Sequence, residues 1–225
     1  MLGGSRPKRP VKRGVLGRSL LRSVHREGYV VYSRSTSGAS RRSGIAAPRA
    51  LAAHEALLEL LGDDYPSLRL TYLEGTLEIT TTSPERERIK TLIARLLELW
   101  ALERDVRLEG YGAATFRKQA KERGLEPDEC YVLGLLLEVP DIAIEVVHKH
   151  GGIDKLEVYA GLAVPEVWFW ESGVLVPYVL TDAGYERRPS SELLPSLDLD
   201  QLSAFVRGAA DQTSAVRAYR EALRQ

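Results

Sequence analysis

Two Pro-Asp dipeptides precede apolar segments of the chain, and their acids are Asp128 and Asp141. In the second segment, residues 141–147, the β-branched residues predict a strand, and alternation with a period of two places Asp141 and Glu145 on the same face. Burying an ionised carboxylate is unfavourable unless a cation, a hydrogen-bond network or a metal ion compensates its charge. Glu145 therefore indicates a functional site, and the competing interpretation is a strand end at which it reaches solvent or a salt bridge.

A third candidate acid lies at the start of a long predicted helix. Ser83 is the expected N-cap and Pro84 the first helical residue, and apolar residues then recur at helical spacing. Extending the apolar stripe backwards brings Glu85 and Arg86 to the buried face, at the positive end of the helix, and Glu87 to the opposite side. The predicted stripe consists of Ile89, Leu92, Ile93, Leu96, Leu97 and Trp100.

Carboxylates held on rigid elements suit a hard cation, because magnesium and manganese prefer oxygen ligands. The predicted set of acids is Glu85, Asp128 and Glu145. Two lysines could complete it, since Lys149 shares the strand parity of Glu145 and Lys155 lies on the following predicted helix. Either lysine would supply a fixed positive charge that orients an attacking water or stabilises a phosphoryl-transfer transition state.

Composition restricts the class of protein. The chain has 225 residues, of which 44% are hydrophobic and 28% charged, as is typical of globular domains. No run approaches the ~20 apolar residues that a membrane span requires, so we expect a soluble protein. The single cysteine, Cys130, excludes an internal disulfide and a cysteine-based zinc cluster, and its setting favours a small core residue over a nucleophile. These features predict a cytoplasmic location.

The net charge of zero conceals two oppositely charged parts. Residues 1–50 contain 12 Lys or Arg and one acid, whereas the other 175 residues contain 19 bases and 30 acids. The first part is rich in Gly, Ser and Arg, so we predict a basic, mostly disordered arm over 1–48 and a folded domain over 49–225. The arm could bind phosphate groups, act as a targeting peptide, or be an extension upstream of the true start.

The remaining segments mix helices with runs of strands, which is typical of an α/β fold. Residues 69–73 and 76–81 alternate around Glu74-Gly75 and predict a hairpin. Further strands are predicted over 106–108, 114–117, 131–133, 167–170 and 175–180, and further helices over 154–160, 202–206 and 215–223.

The motifs around the candidate acids resemble the PD-(D/E)XK nuclease superfamily and, within it, the Uma-type restriction endonuclease family. The resemblance extends from about Leu70 to Leu199, and its motifs are YLEGTLEI followed by Ser-Pro, ATFR with KERGLEPDECY, PDIAIEVV with GGIDKLEVY, and GLAVPEVWFW. The string GLEPDECY and the pairing of PDIAIEVV with GGIDKLEVYAGLAVPEVW are specific at the family level.

This resemblance implies a restriction-endonuclease-like fold, in which helices flank a mixed β-sheet core. It makes Asp128 the acid of the Pro-Asp motif, Glu145 the second metal-binding acid, and Glu85 or Glu87 the acid of the helix. Helical phase favours Glu85 over Glu87.

The resemblance also bears on the lysine and on the second Pro-Asp dipeptide. The superfamily carries a lysine two residues after the second acid, where this chain has Val147, and Lys155 matches a lysine that the family places on the following helix. Asp141 is the weaker Pro-Asp candidate, because it could instead cap the strand or act on Glu145 by like-charge proximity.

The function that the resemblance implies is metal-dependent endonucleolytic hydrolysis of DNA, with magnesium or manganese as cofactor and a homodimer as assembly. Members of the family usually carry a His where this chain has Arg86, and an arginine neither accepts a proton at neutral pH nor binds a metal. The alternative is therefore a catalytically impaired nuclease-fold protein that serves as a nucleic-acid-binding or interaction module.

A third possibility, an interaction domain, rests on Trp168, Phe169 and Trp170. Alternation places the two tryptophans on one face and Phe169 on the other, so one side could be exposed to a partner. A central strand covered on both faces is the more common arrangement. The chain contains no Walker loop, no GxGxxG after a strand and no HExxH motif, which leaves nucleotide-cofactor and zinc-protease functions without support.

Overall fold

A computed structural model of the protein describes residues 21–26, 29–34, 68–73, 76–114, 116–118, 123–135, 138–146 and 153–225. Lys149, one of the two candidate lysines, lies outside the described residues, as does the predicted turn Glu74-Gly75.

The described residues form four helices and twelve strands. The helices are α1 (Pro84–Glu103), α2 (Lys155–Leu162), α3 (Leu199–Arg207) and α4 (Gln212–Leu223). The strands are β1 (Leu21–Arg26), β2 (Tyr29–Arg34), β3 (Leu68–Leu73), β4 (Thr76–Thr81), β5 (Glu109–Gly110), β6 (Phe116–Lys118), β7 (Arg123–Leu125), β8 (Glu129–Val132), β9 (Ile142–Val146), β10 (Glu166–Glu171), β11 (Val174–Thr181) and β12 (Gly184–Arg187).

These strands make two six-stranded sheets. The antiparallel sheet has the order β1-β2-β4-β3-β7-β6. The mixed sheet has the order β12-β11-β10-β9-β8-β5, and in it only β9 and β10 run parallel. Parallel neighbours require a crossover connection, and α2 lies between these two strands in the chain. The predicted α/β fold, a mixed sheet flanked by helices, is confirmed.

Helices cover both faces of the mixed sheet. On one face, α1, α3 and α4 pack with Trp168 and Trp170 in the larger hydrophobic cluster. On the other face, α2 packs with Ala143 and Phe169 in a smaller cluster, to which Leu73 of the antiparallel sheet adds. The predicted alternation of β10 is confirmed, and the strand is central and buried rather than exposed to a partner.

Helix α1 begins where the sequence predicts. The backbone N–H of Arg86 donates to Oγ of Ser83 over 3.2 Å, and Pro84 occupies the first turn, where a missing N–H is tolerated. The predicted apolar stripe is buried along its whole length. This helix is therefore held by the core on one side, and its first turn projects toward the ends of the neighbouring strands.

The pattern-based elements agree with the structure, and the differences lie in short strands. The predicted hairpin forms as β3 and β4, whereas residues 106–108 are not a strand and β5 follows them at Glu109–Gly110. Strands β7 and β12 have no predicted counterpart. Strands β1 and β2 lie within the predicted basic arm, where β1 pairs with β2, and β2 in turn pairs with β4. Such strands are defined by their hydrogen-bonded partners, which local patterns do not reveal. The arm boundary at residue 48 stays a prediction.

Among the described helices, none combines the length and the apolar character that crossing a membrane would demand.

Replacement of Leu97 by Ala should lower the free energy of unfolding by about 2–5 kcal/mol, because Leu97 is fully buried and its truncation leaves a cavity under the mixed sheet. Leu102→Ala is the matched control on the same helix, and since Leu102 is 75% exposed, its effect should stay within about 0.5 kcal/mol. Denaturant unfolding of the two variants measures both values, and equal effects would contradict the buried face assigned to α1.

Candidate active site

Two carboxylates meet where β8 runs antiparallel to β9. In this pair Glu129 lies opposite Ile144 and Tyr131 opposite Ile142, so continuing the register by one residue places Asp128 opposite Glu145. Directly opposed residues have their Cβ atoms about 4.5–5.5 Å apart and share a face of the sheet. The two acids are 3% and 0% exposed, so both charges need compensation inside the protein.

Asp128 is compensated by a backbone amide and an arginine. Its Oδ2 atom accepts hydrogen bonds from the N–H of Val146 over 2.7 Å, from Nη2 of Arg86 over 2.7 Å and from Nε of Arg86 over 3.1 Å. Arg86 comes from the first turn of α1, and its Nη2 also lies 3.7 Å from Oε2 of Glu145. One guanidinium thus bridges both acids.

Glu145 is compensated from the other side of the sheet by α2. The ammonium group of Lys155 donates to Oε2 over 2.6 Å, and the hydroxyl of Tyr159 donates to Oε1 over 2.6 Å. Residues four apart lie on one face of a helix, so both donors point in the same direction. The side chain of Asp154 caps the helix by accepting from the N–H of Leu156, which fixes the turn that carries Lys155.

The neighbouring charges determine which groups carry protons. Burial raises the pKa of Glu145, Lys155 lowers it, and the nearby charge of Asp128 raises it further. Burial and the Glu145 carboxylate raise the pKa of Tyr159 well above its usual value, so the phenol stays protonated and remains a donor. Burial alone would lower the pKa of Arg86, but its two acidic partners outweigh burial and the pKa is raised. The guanidinium is therefore a permanent cation.

The structure does not bring the predicted helix acids to this pair. The side chain of Glu85 is 59% exposed and pairs with Arg88, contrary to the predicted buried orientation. Glu87 pairs with Lys90 over 2.6 Å and accepts a hydrogen bond from Thr82. The physical reason is charge: a third carboxylate facing two buried ones would be repelled, whereas an arginine in the next position is attracted.

The hydrogen bonds of Asp141 connect neighbouring segments of the backbone. Its Oδ2 atom accepts from the backbone N–H of Leu133 over 2.8 Å, and its backbone joins Tyr131 and Glu166 on the flanking strands. These contacts correspond to the capping role that the sequence left open for it. Of the residues proposed from sequence, the described structure brings together Asp128, Glu145 and Lys155.

Two contributors went unrecognised in the sequence. Tyr159 stands four residues after Lys155, and this helical spacing was the signal that could have identified it. Glu78 of β4 is 2% exposed and accepts from the N–H of Ile153 over 3.0 Å, just before α2 begins. Glu78 therefore ties the antiparallel sheet to the start of the helix that carries Lys155. The alternating pattern of the hairpin does not indicate that Glu78 contacts Ile153, which lies 75 residues further along the chain.

The carboxylate pair fits a small divalent cation. Within the described ranges, no group of three or more His, Cys, Asp or Glu side chains could hold a metal ion. Asp128 and Glu145 nevertheless converge on one cationic group, the Nη2 of Arg86, so both oxygen donors already face a position suited to positive charge. Magnesium is commonly bound by one or two carboxylates, with water and substrate phosphates completing its shell.

The mixed sheet flanked by helices, with Asp128 next to Glu145 and Lys155 on the following helix, agrees with the fold and residues that the resemblance implies. The model of the Uma2 family, described as "putative restriction endonuclease", matches residues 54–210, which is more than half of the chain. The chain belongs to this family. A comparison with curated proteins found no match.

Cys130 should resist thiol reagents in the folded protein. Its side chain is fully buried and its Sγ donates to the carbonyl of Gly112 over 3.2 Å, which confirms the predicted core position. Burial, aided by the charge of Glu129, raises the pKa of Cys130 to about 12, so almost no thiolate exists at pH 8. Reaction with a chromogenic disulfide should therefore require denaturant, and rapid labelling of the native protein would contradict this burial.

Replacement of Tyr159 by Phe should destabilise the protein by about 1–3 kcal/mol, because one oxygen of the fully buried Glu145 loses its only donor among the described contacts. Tyr111→Phe is the control, since Tyr111 is 43% exposed and should change stability by less than about 0.5 kcal/mol. Denaturant unfolding compares the two variants. Equal stabilities would show that the Tyr159 hydroxyl does not support Glu145.

Proposed function

We propose that the protein is a metal-dependent endodeoxyribonuclease, which hydrolyses phosphodiester bonds of DNA with magnesium or manganese as cofactor. The observation that supports this most directly is the meeting of Asp128 and Glu145 across β8 and β9, with the amine of Lys155 2.6 Å from Glu145. Membership of the Uma2 family, with the description quoted above, agrees with this chemistry.

In this proposal Asp128 and Glu145 hold the cation. When bound, a divalent ion supplies an activated water and stabilises negative charge on the phosphoryl oxygens. The N–H of Val146 and the hydroxyl of Tyr159 each hold one of the two carboxylates by a hydrogen bond. Both acids are thus kept in place by groups that carry no charge.

Lys155 supplies the fixed positive charge. Its amine is held against Oε2 of Glu145, and its side chain is 20% exposed, so it faces both the buried acid and the solvent side. A positioned ammonium there can orient the water that attacks phosphorus and favour the charge of the transition state. The water adds to phosphorus as the ester P–O bond breaks, which leaves a phosphate monoester and a free hydroxyl group.

The charge distribution is relevant to the proposed DNA substrate. Residues 51–225 carry 19 bases and 30 acids, so that part offers few sites for nonspecific phosphate contacts. The basic stretch over 1–50 would supply them in this proposal. A homodimer and a cytoplasmic location, both expected from sequence, remain part of the proposal.

A second candidate function is a catalytically impaired nuclease-fold protein that binds nucleic acid or another partner. One observation favours it: the guanidinium of Arg86 bridges the two carboxylates that a metal ion would use. Saturable manganese binding near neutral pH discriminates between the two functions, because a permanently blocked site would show none.

Replacement of Asp128 by Asn or of Glu145 by Gln should reduce magnesium-dependent nicking of supercoiled plasmid by roughly 100-fold or more, since each change removes a charge from the pair. Both substitutions preserve shape, and circular dichroism melting verifies that the variants fold. Omitting magnesium from the wild-type protein should abolish nicking as well.

Glu85→Gln is the matched comparison for these variants. Because its side chain is 59% exposed and pairs with Arg88, nicking should persist close to the wild-type level. Loss of nicking in this variant would return Glu85 to the site as the sequence predicted. Retained nicking in both the Asp128 and Glu145 variants would refute the proposed function.

A further inference from the structure

We propose that Arg86 is a built-in competitor of the divalent cation, whose guanidinium occupies the carboxylate pair and must leave before the ion binds. This inference rests on the proposed function, because it assumes that Asp128 and Glu145 are the metal-binding acids. It makes Arg86 a determinant of metal affinity in this protein.

The charge balance of the site supports the proposal. Asp128 and Glu145 carry two negative charges, and Arg86 and Lys155 supply two positive charges within hydrogen-bonding or ion-pairing distance. The cluster is thus neutral. Adding a divalent ion to all four groups would leave two excess positive charges in a largely buried place, which is strongly unfavourable.

The hydrogen bonds of the two carboxylates support the proposal independently of the charge balance. Oδ2 of Asp128 already accepts three hydrogen bonds, two of them from Arg86, and Oε2 of Glu145 faces both Arg86 and Lys155. An ion bound between these oxygens would overlap the position of Nη2. Lys155 reaches Glu145 from α2, so it does not stand between the two acids as Arg86 does.

Arg86 also has a route by which it can leave. Its side chain is 14% exposed, whereas those of the two acids are 3% and 0% exposed, so the arginine is the member of this trio that reaches solvent. It sits in the first turn of α1, next to the partly exposed carboxylate of Glu87. An arginine cannot vacate the site by losing a proton, so it must move as a cation toward such a partner or toward a phosphate of bound DNA.

The test is calorimetric titration of manganese into the full-length protein and into Arg86→Gln near neutral pH. The variant should bind manganese roughly tenfold or more tightly than the wild-type protein, because the ion no longer has to displace a cation that is attracted to both carboxylates at close range. Arg88→Gln is the matched control, because Arg88 lies one half-turn further along α1 and, among the described contacts, its side chain pairs with the exposed Glu85. Its affinity should equal that of the wild-type protein within about twofold, since exposed ion pairs contribute little.

A second variant and a second measurement guard against a folding defect in Arg86→Gln. Arg86→Lys retains the charge but loses the two-nitrogen contact with Asp128, so it should bind manganese with an intermediate affinity. The manganese-induced rise in melting temperature provides the second measurement, and it should be larger for both Arg86 variants than for Arg88→Gln.

The outcomes separate this inference from the proposed function. Equal or weaker manganese binding by the Arg86 variants, with clear binding by the wild-type protein, would overturn the competition and leave the nuclease proposal standing. Binding by the Arg86 variants alone would support the competition and assign the native protein to the impaired class. No binding by any of these proteins would overturn both proposals.

Discussion

The burial of two like charges opposite each other, one directly before β8 and one on β9, is the constraint on which the rest of the site depends. Asp128 and Glu145 are almost completely shielded from water, and each alone would be unfavourable in its ionised form. The fold meets this constraint from two directions. Arg86 arrives from the helical layer on one face of the mixed sheet, and Lys155 and Tyr159 arrive from the helix on the other face.

This arrangement explains why two separate hydrophobic clusters matter to one site. The larger cluster fixes α1 and hence the direction in which its first turn points, while the smaller cluster fixes α2 over the Ala143 face of β9. Glu78 adds a contact from the antiparallel sheet to Ile153, two residues before α2 begins. A change in either cluster would therefore alter the distance between a buried acid and its cation, although neither cluster contains a charged group.

The sequence predicts those features that local patterns determine. The hairpin, the capped start of α1 and the alternation of β9 and β10 all follow from residue spacing, and Asp128, Glu145 and Lys155 follow from the motifs. Helical phase could not choose between Glu85 and Arg86, because both positions extend the same stripe. Which of the two residues turns toward the site depends on the negative charge of Asp128 and Glu145. The position of that charge is a property of the tertiary structure.

A comparison with another buried acid shows what distinguishes a site from a structural anchor. Glu166 is 1% exposed, and its carboxylate accepts hydrogen bonds from the indole of Trp168, the hydroxyl of Ser191 and two backbone N–H groups. All of these donors are neutral and belong to packed segments, so they hold the acid without being exchangeable. Asp128 and Glu145 each accept from one neutral donor as well, but they also pair with the side-chain cations of Arg86 and Lys155, which are 14% and 20% exposed. Burial alone therefore does not separate a structural carboxylate from a candidate site; pairing with partly exposed side-chain cations is what distinguishes Asp128 and Glu145 from Glu166.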